Sequence, residues 1–156
     1  MRFVSKLALI TWTCSLIMST TVAQDRKPET LTYIAFSARL DTSQAKATVA
    51  VSGVTNLPPG SVLLIQIDNY RGYRATVFNE NTEVTVGPDG RFAVNVPPKS
   101  GLSMRTNLQC SVAFFPWNQP ANVVRKVGKR GENLIGPQTG VNSGGTYLDA
   151  VTVVTD

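Results

Sequence analysis

Few side chains in this sequence could carry out catalysis. The chain has no histidine, which excludes a hydrolytic triad with an imidazole base. A Ser–Lys dyad needs a desolvated lysine, but the lysines beyond residue 23 fall in polar loops, at a strand start or at a helix end: Lys27, Lys46, Lys99, Lys126 and Lys129. Asp68 and Asp149 lie within expected strands, where alternation favours solvent-facing positions over a glycosidase pair. We therefore expect a protein that is not an enzyme.

Ligands for metals are equally scarce. Two cysteines without a histidine cannot form a thiolate zinc site. Glu80, Asn81 and Glu83 have the oxygen ligands that calcium prefers, but this composition is more typical of a polar hairpin loop. We expect no metal and no cofactor.

Cys110 is the one cysteine beyond residue 23. Leu108 and Val112 flank it at two-residue spacing, which places it on the apolar face of a strand. A reactive thiol needs exposure and a nearby positive charge. We therefore predict that Cys110 is buried and reduced; an exposed thiol would instead indicate a disulfide between two chains.

Two groups of aromatic residues are candidates for binding. Tyr70 and Tyr73 flank Arg71-Gly72, and Trp117 follows Phe114-Phe115-Pro116. Aromatic faces beside Arg and Asn side chains stack on sugar rings or anchor a protein partner. The alternative is that these rings close the ends of the core, where strands commonly bury aromatic residues.

The densest basic patch comprises Arg125, Lys126, Lys129 and Arg130. It is suited to an anionic polymer or a lipid surface, although cations at a helix C-terminus are favourable without any partner. Beyond residue 23 the chain holds thirteen basic and ten acidic residues. A net charge of +3 is too small for the basic stripe that nucleic-acid binding requires, so we expect no nucleic-acid partner.

Residues 1–23 have the three-part pattern of a secretory signal peptide. Arg2 and Lys6 are basic, residues 7–18 are apolar and uncharged, and small residues end at Ala23. The apolar stretch is shorter than the ~20 residues of a membrane span, and an uncleaved anchor is the alternative. We predict cleavage after Ala23, a secreted or periplasmic product, and no integral membrane segment in that product.

Most of the remaining sequence alternates polar and apolar residues with the period of two typical of strands. Strands are predicted at 31–40, 46–54, 61–69, 73–78, 82–86, 92–96, 105–115 and 146–154. A short helix is predicted at 119–127, with Asn118 as its N-cap and Gly128 as a left-handed stop. The glycine-rich residues 128–145 are expected to form a long, mobile loop at a binding edge, pinned to the sheet by Leu134 and Ile135.

These elements predict a single all-β domain over residues 24–156. Seven to eight short strands separated by turns are typical of an antiparallel β-sandwich. An immunoglobulin-like or transthyretin-like Greek key is the expected architecture, with a closed barrel as the alternative. Gly87-Pro88-Asp89-Gly90 is predicted to close a β-hairpin, and Gly53 to mark a β-bulge.

The run Gly53-Val54-Thr55-Asn56-Leu57-Pro58-Pro59-Gly60 resembles a Gly-x-Thr-Asn-Leu-Pro-x-Gly turn of uncharacterised secreted bacterial β-sandwich proteins with an immunoglobulin-like fold. Gln119-Pro120, Gly131-Glu132-Asn133-Leu134 and Gly136-Pro137 are similar to the same group. The resemblance implies an exported bacterial protein. Because its motifs are turn and loop residues, it implies a fold rather than an activity.

The combined expectation is an exported, non-enzymatic β-sandwich with a binding or structural role in the cell envelope or the extracellular space. Its partner would be a protein or a glycan. The alternative is a carbohydrate-binding accessory module that uses Tyr70, Tyr73 and Trp117.

Overall fold

The computed structural model describes residues 30–43, 48–69, 82–97 and 108–155. Within these ranges the chain forms eight strands and one short α-helix: β1 (Ile34–Asp41), β2 (Thr48–Thr55), β3 (Val62–Asn69), β4 (Thr82–Thr85), β5 (Arg91–Val96), β6 (Leu108–Phe114), α1 (Ala121–Val127), β7 (Thr139–Asn142) and β8 (Gly145–Val153). A single 3₁₀ turn at Pro116–Asn118 precedes α1. The predicted signal peptide at 1–23 and the predicted strand at 73–78 lie outside the described residues.

The strands form two antiparallel sheets. One has three strands in the order β1-β2-β5, and the other has five in the order β4-β3-β6-β8-β7. Every strand pairing within the two sheets is antiparallel. The mostly β, two-sheet antiparallel fold with one short helix is therefore confirmed.

The two sheets share one apolar core, built by the alternation that the sequence shows. In β6 every second residue, from Leu108 to Phe114, is buried, whereas the three residues between them are half-buried. The largest fully buried side chains come from both sheets: Ile34, Val49, Val51, Leu63, Ile65, Ile67, Val86, Val96, Val112, Phe114 and Leu148. Each such side chain contributes about 1.5–3 kcal/mol through removal from water, so this core is the main source of stability.

Gly53 does not form a bulge, in contrast to the prediction. The pairing register runs without interruption through Gly53, opposite Phe36 in β1 and Phe92 in β5. A Cβ atom at this position would lie 2.7 Å from both the Phe36 Cβ and the Phe92 ring. Glycine is needed here because a neighbouring aromatic ring packs directly over its backbone.

Residues 87–90 make the predicted tight turn but do not close a hairpin. The Gly90 N–H donates to the Gly87 carbonyl at 3.1 Å, and the Gly87 N–H donates to the Arg91 carbonyl at 2.8 Å. However, β4 belongs to the five-stranded sheet and β5 to the three-stranded sheet. The turn residues determine a local chain reversal, whereas strand pairing depends on contacts made elsewhere.

Helix α1 begins later than predicted, at Ala121, and Pro120 occupies its N-cap position without a side-chain hydrogen bond. Asn118 lies in the 3₁₀ turn and is not the cap. Gly128 ends the helix with a φ of 88° and a ψ of 152°. The predicted glycine stop is therefore confirmed, but its backbone is outside the left-handed helical region.

Residues 128–145 are not one irregular loop, because they contain β7. The Thr146 N–H donates to the Arg130 carbonyl at 2.8 Å, and the Thr32 N–H donates to the Ile135 carbonyl at 2.6 Å. Leu134 is buried in the core, as the sequence predicted. The sequence pattern missed β7 because its one apolar side chain, Val141, is 80% exposed.

Candidate binding surface

Three connections between strands meet at one end of the two sheets. They are residues 56–61 between β2 and β3, residues 86–90 between β4 and β5, and residues 115–144 between β6 and β8. The first two are joined by backbone hydrogen bonds from Val86 to the Ser61 carbonyl at 2.8 Å and from Gly60 to the Val86 carbonyl at 2.9 Å. We call this surface the connection end.

The side chain of Gln119 attaches the third connection to the first. Its Oε1 accepts from the Val62 N–H at 2.7 Å, and its Nε2 donates to the Val62 carbonyl at 2.9 Å. The same Nε2 lies 3.1 Å from the Phe115 carbonyl. The carboxamide thus pairs with β3 as a neighbouring strand residue would, and it holds the 3₁₀ turn that carries Trp117.

A row of three aromatic rings lies on the outer side of the five-stranded sheet at this end. The centroid of Phe115 lies 5.2 Å from that of Trp117 and 5.7 Å from that of Tyr147. Gly140 pairs with Tyr147 across β7 and β8, and a Cβ atom there would lie 2.5 Å from the Tyr147 ring. Glycine therefore leaves the space that the ring occupies.

Trp117 is held in place but remains 38% exposed. A Cβ atom on Gly144 would lie 3.1 Å from three atoms of the indole, so the backbone of Gly144 packs against part of the ring. An aromatic side chain that is fixed by its neighbours and partly open to solvent loses little conformational entropy when a ligand stacks on it.

Arg130 contacts the same turn as Trp117. Its Nη2 donates to the Ser143 carbonyl at 3.1 Å, and its Nε lies 3.4 Å from the Gly144 carbonyl. These contacts use two of the five N–H groups of the guanidinium. The structure therefore brings Trp117 and Arg130 together at residues 143–144, with part of the guanidinium still free to donate.

The other cations of this segment are exposed. Arg125 and Lys126 lie in the last turn of α1, and Lys129 follows in the next turn. Glu132 is the one acidic residue among residues 115–145, and its Oε2 accepts the Arg130 backbone N–H at 3.0 Å. Hydrogen bonds from its own backbone N–H and from that of Arg130 lower the pKa of the Glu132 carboxyl.

Positive charge is concentrated in one segment of the sequence. Residues 115–145 hold four basic residues and one acidic residue, whereas the rest of the chain beyond residue 23 holds nine of each. The local excess of +3 thus equals the whole net charge of that chain. Such an arrangement attracts anionic ligands to one surface.

The two candidate tyrosines, Tyr70 and Tyr73, lie outside the described residues. Sequence reasoning did not find the roles of Gln119, Tyr147 and Arg130, because each depends on a contact with a residue distant in the chain. For Tyr147, only knowledge of the strand register would have identified Gly140 as its partner.

Cys110 is fully buried, as predicted, with no exposed surface, and it is a free thiol. Burial raises the pKa of this thiol to about 12. The neutral thiol is therefore the stable form at ordinary pH, and the thiolate needed for nucleophilic attack is strongly disfavoured.

Asp68 and Asp149 do not form a glycosidase pair. Asp68 pairs with Gln109 in β6, whereas Asp149 pairs with Ala113 of the same strand. Two strand spacings and four residues along β6 separate them by about 16 Å, from ordinary sheet dimensions. That exceeds the roughly 5–10 Å between the catalytic carboxyl groups of glycosidases.

A shallow cavity of about 440 Å³ lies beside β5 and is lined by residues other than the predicted binding residues. Gly53, Thr85, Arg91 and Phe92 are among the residues that line it. The Arg91 side chain is 3.4 Å from the Asp89 carboxylate, so its charge is already paired.

In the part of the chain that the structure describes, no cluster of three or more His, Cys, Asp or Glu side chains suited to holding a metal ion occurs. None of the helices there is sufficiently long and apolar to cross a bilayer. Comparison of the chain with protein-family models and with curated proteins finds no match.

Proposed function

We propose that this chain is an exported, non-enzymatic β-sandwich protein that binds its partner through the connection end. The observation that carries the proposal is the concentration of charge described above: residues 115–145 hold an excess of positive charge equal to the whole net charge beyond residue 23, and their four cations are exposed. That segment also presents Trp117, an exposed aromatic side chain. Aromatic residues and arginine are enriched where proteins bind their partners.

We also propose an immunoglobulin-like arrangement of the strands. The orders β1-β2-β5 and β4-β3-β6-β8 correspond to strands A-B-E and C′-C-F-G of that fold. In this correspondence β7 is an additional edge strand, and residues 56–61 and 115–144 are the B–C and F–G connections. Immunoglobulin variable domains bind through these two connections, which supports the connection end as the binding surface.

The proposed export rests on the pattern of residues 1–23, and a kinship with secreted bacterial β-sandwich proteins rests on the motif around Asn56. The structure supplies a physical role for that motif. The Asn56 carboxamide accepts from the Tyr33 N–H at 3.0 Å and donates to the Leu31 carbonyl at 2.8 Å. Intact-mass analysis of the exported fraction tests the leader; a full-length cytoplasmic product would refute it.

Co-purification tests the binding proposal. The chain from Gln24 to Asp156 is immobilised and exposed to a cell-envelope extract of its own host, and captured protein and glycan are both measured. A variant that combines Arg125→Gln, Lys126→Gln and Lys129→Gln should capture less, and the loss should be larger at low salt. Arg39→Gln is the matched control because it removes an exposed cation outside the connection end. Equal capture by the triple variant and the control would refute the proposal.

A carbohydrate-binding accessory module is the second candidate, favoured by the exposed indole of Trp117. If it is correct, Trp117→Ala abolishes retention on an insoluble polysaccharide while the melting temperature stays close to that of the unmodified protein. Val151→Ala is the control, since Val151 is also exposed, at 52%, but lies away from the aromatic row. Retention of the Trp117 variant would exclude this candidate.

A further inference from the structure

We propose that the connection end binds an acidic saccharide, with a sugar ring against the exposed part of Trp117 and the carboxylate of that sugar on Arg130. This inference rests on the proposed function, because it names the ligand class of the same surface. The ligand is then an anionic sugar polymer, not a protein or a neutral glycan.

The first support is the shared turn at residues 143–144. Trp117 packs against Gly144, and the Arg130 guanidinium donates to the carbonyls of Ser143 and Gly144. The indole and the guanidinium therefore both contact this turn. An aromatic face binds the apolar face of a sugar ring, and a charged donor beside it selects a ring that carries an anion.

The second support is the pre-orientation of Arg130. Two contacts to backbone carbonyls fix its guanidinium, while three N–H groups remain for a ligand. A planar fork held in this way binds a carboxylate through two parallel hydrogen bonds at a small entropic cost. The Glu132 carboxylate accepts the Arg130 backbone N–H, and the attraction between its charge and that of Arg130 also lowers the Glu132 pKa. Among the described residues, the one side-chain salt bridge is that of Arg91 with Asp89, so Glu132 does not occupy the N–H groups of the guanidinium.

The third support is the additional charge along the same segment. Arg125, Lys126 and Lys129 are exposed around the C-terminal end of α1, where the helix dipole makes cations favourable. A single acidic sugar leaves these charges without a partner. A polymer with a repeated carboxylate pairs with several of them, and its affinity then falls with rising salt.

A lipid surface fits this site less well. Trp117 belongs to the aromatic row that contains Tyr147, and Tyr147 pairs with Gly140 across β7 and β8. The next residue, Val141, pairs with Thr146. Because successive strand residues face opposite sides, the exposed Val141 lies on the face of the β7–β8 ribbon opposite to the aromatic row. Asn118, beside Trp117, is polar and exposed. Membrane-surface binding uses a continuous apolar face, whereas one sugar ring needs one aromatic side chain.

The test uses the chain from Gln24 to Asp156 and three probes. Polygalacturonate carries a carboxylate on every sugar, its methyl ester has the same sugars without the charge, and phosphatidylglycerol vesicles carry anions without sugars. Trp117 is the one tryptophan beyond residue 23, so its fluorescence reports contact, and calorimetry gives affinities. Polygalacturonate should shift the fluorescence, and the methyl ester should leave it unchanged.

Three variants assign the contacts, with Arg39→Gln as the control. Trp117→Ala should weaken polygalacturonate binding about fivefold or more, the equivalent of about 1 kcal/mol. Lys129→Ala should weaken it about two- to fivefold at low salt, the range for exposed ion pairs. Arg130→Lys keeps the charge but loses the fork, and it should weaken binding to polygalacturonate more than Lys129→Ala does. Melting curves establish that each variant is folded.

The possible results separate the inference from the proposed function. Binding of the methyl ester as tight as that of the acid would overturn the acidic-saccharide inference and favour a neutral glycan. Binding of vesicles alone would overturn it in favour of a lipid surface. No binding of any probe, combined with loss of envelope capture in the triple cation variant, would overturn the inference and leave the proposed function standing. Unchanged capture in that variant would refute the proposed function itself.

Discussion

Replacement of Gln138 should open the side of the core between β1 and β8. The Gln138 Oε1 accepts from the Ile34 N–H at 2.7 Å, and its Nε2 donates to the Ile34 carbonyl at 2.9 Å. The Gln138 backbone carbonyl accepts from the Asp149 N–H at 3.0 Å. Gln138 therefore joins the edge of the three-stranded sheet to the five-stranded sheet, and Gln138→Ala removes the part of this link that reaches β1.

The expected cost follows from the two hydrogen bonds. Each contributes about 0.5–1.5 kcal/mol net, and more where a group is left without a partner. Ile34 is buried as a residue, but these bonds are only part-buried, so water can replace them in part. We expect Gln138→Ala to lower the free energy of unfolding by about 1–2 kcal/mol. For a chain of this size the melting temperature falls by about 3–8 °C.

Gln138→Glu gives a sharper test, because its effect should depend on pH. A protonated carboxyl can accept from the Ile34 N–H and donate to the Ile34 carbonyl, whereas an ionised carboxylate has no donor. The folded state therefore raises the pKa of the introduced carboxyl above its unfolded value. The stability of this variant should approach that of the unmodified protein at acidic pH and be lost as the pH rises through the folded-state pKa.

Urea unfolding followed by Trp117 fluorescence measures both variants across the acidic to neutral range. Gln109→Ala is the control, since Gln109 is half-buried on β6 and does not join the two sheets. A Gln138→Ala protein as stable as the control would refute the role of this side chain. A Gln138→Glu protein whose loss of stability is the same at every pH would refute the hydrogen-bond pattern.

Three further predictions concern Cys110 and residues 129–132. A polar thiol reagent should label Cys110 slowly in the native protein and rapidly in urea, since burial raises the pKa of its thiol to about 12. Cys110→Ser should lower the free energy of unfolding by about 1–3 kcal/mol. Fast labelling of the native protein would contradict burial. Arg130→Ala should lower the free energy of unfolding by about 1 kcal/mol, because its side chain loses its contacts with two backbone carbonyls. Lys129→Ala should change this free energy by less than about 0.5 kcal/mol. Equal melting temperatures of the two variants would contradict this difference. Hydrogen bonds from the backbone N–H groups of Glu132 and Arg130 lower the pKa of the Glu132 carboxyl. The stabilising contribution of this carboxylate is therefore present at neutral pH and lost as the pH falls. Glu132→Gln should reduce the loss of stability to urea on acidification, and an unchanged loss would contradict this prediction.

The faces of the strands could be predicted from the sequence because they depend on adjacent residues. Side chains at two-residue spacing share a face whatever strand lies beside them. Leu108, Cys110 and Val112 share a face by this spacing, and all three are buried. Val49 and Val51 of β2 have the same spacing and are also buried.

The pairing of strands could not be predicted in the same way. The turn at residues 87–90 has the composition of a hairpin, yet it connects the two sheets. β7 has four residues and an exposed valine, so no apolar pattern marks it. Its position depends on pairing with β8, which is information that the strand itself does not carry.

For the binding surface, the sequence indicated which residue types are present, but the contacts between them could not be predicted from it. The sequence placed Arg125, Lys126, Lys129 and Arg130 in one basic segment, and the structure exposes all four. It did not distinguish Arg130, whose side chain bonds to the carbonyls of residues 143 and 144.

The all-β character of this protein, the burial of Cys110 and the concentration of positive charge near α1 could be predicted from the sequence. Each of these follows from residues close in the chain, where the geometry of a strand and the composition of a segment suffice. The pairing of the strands, the packing of Gly53 and Gly144 against aromatic rings and the side chains that join distant strands became known from the folded structure. These features arise from contacts between residues that only a folded chain brings together, since several partners compete for each strand edge and packing across the whole core selects among them.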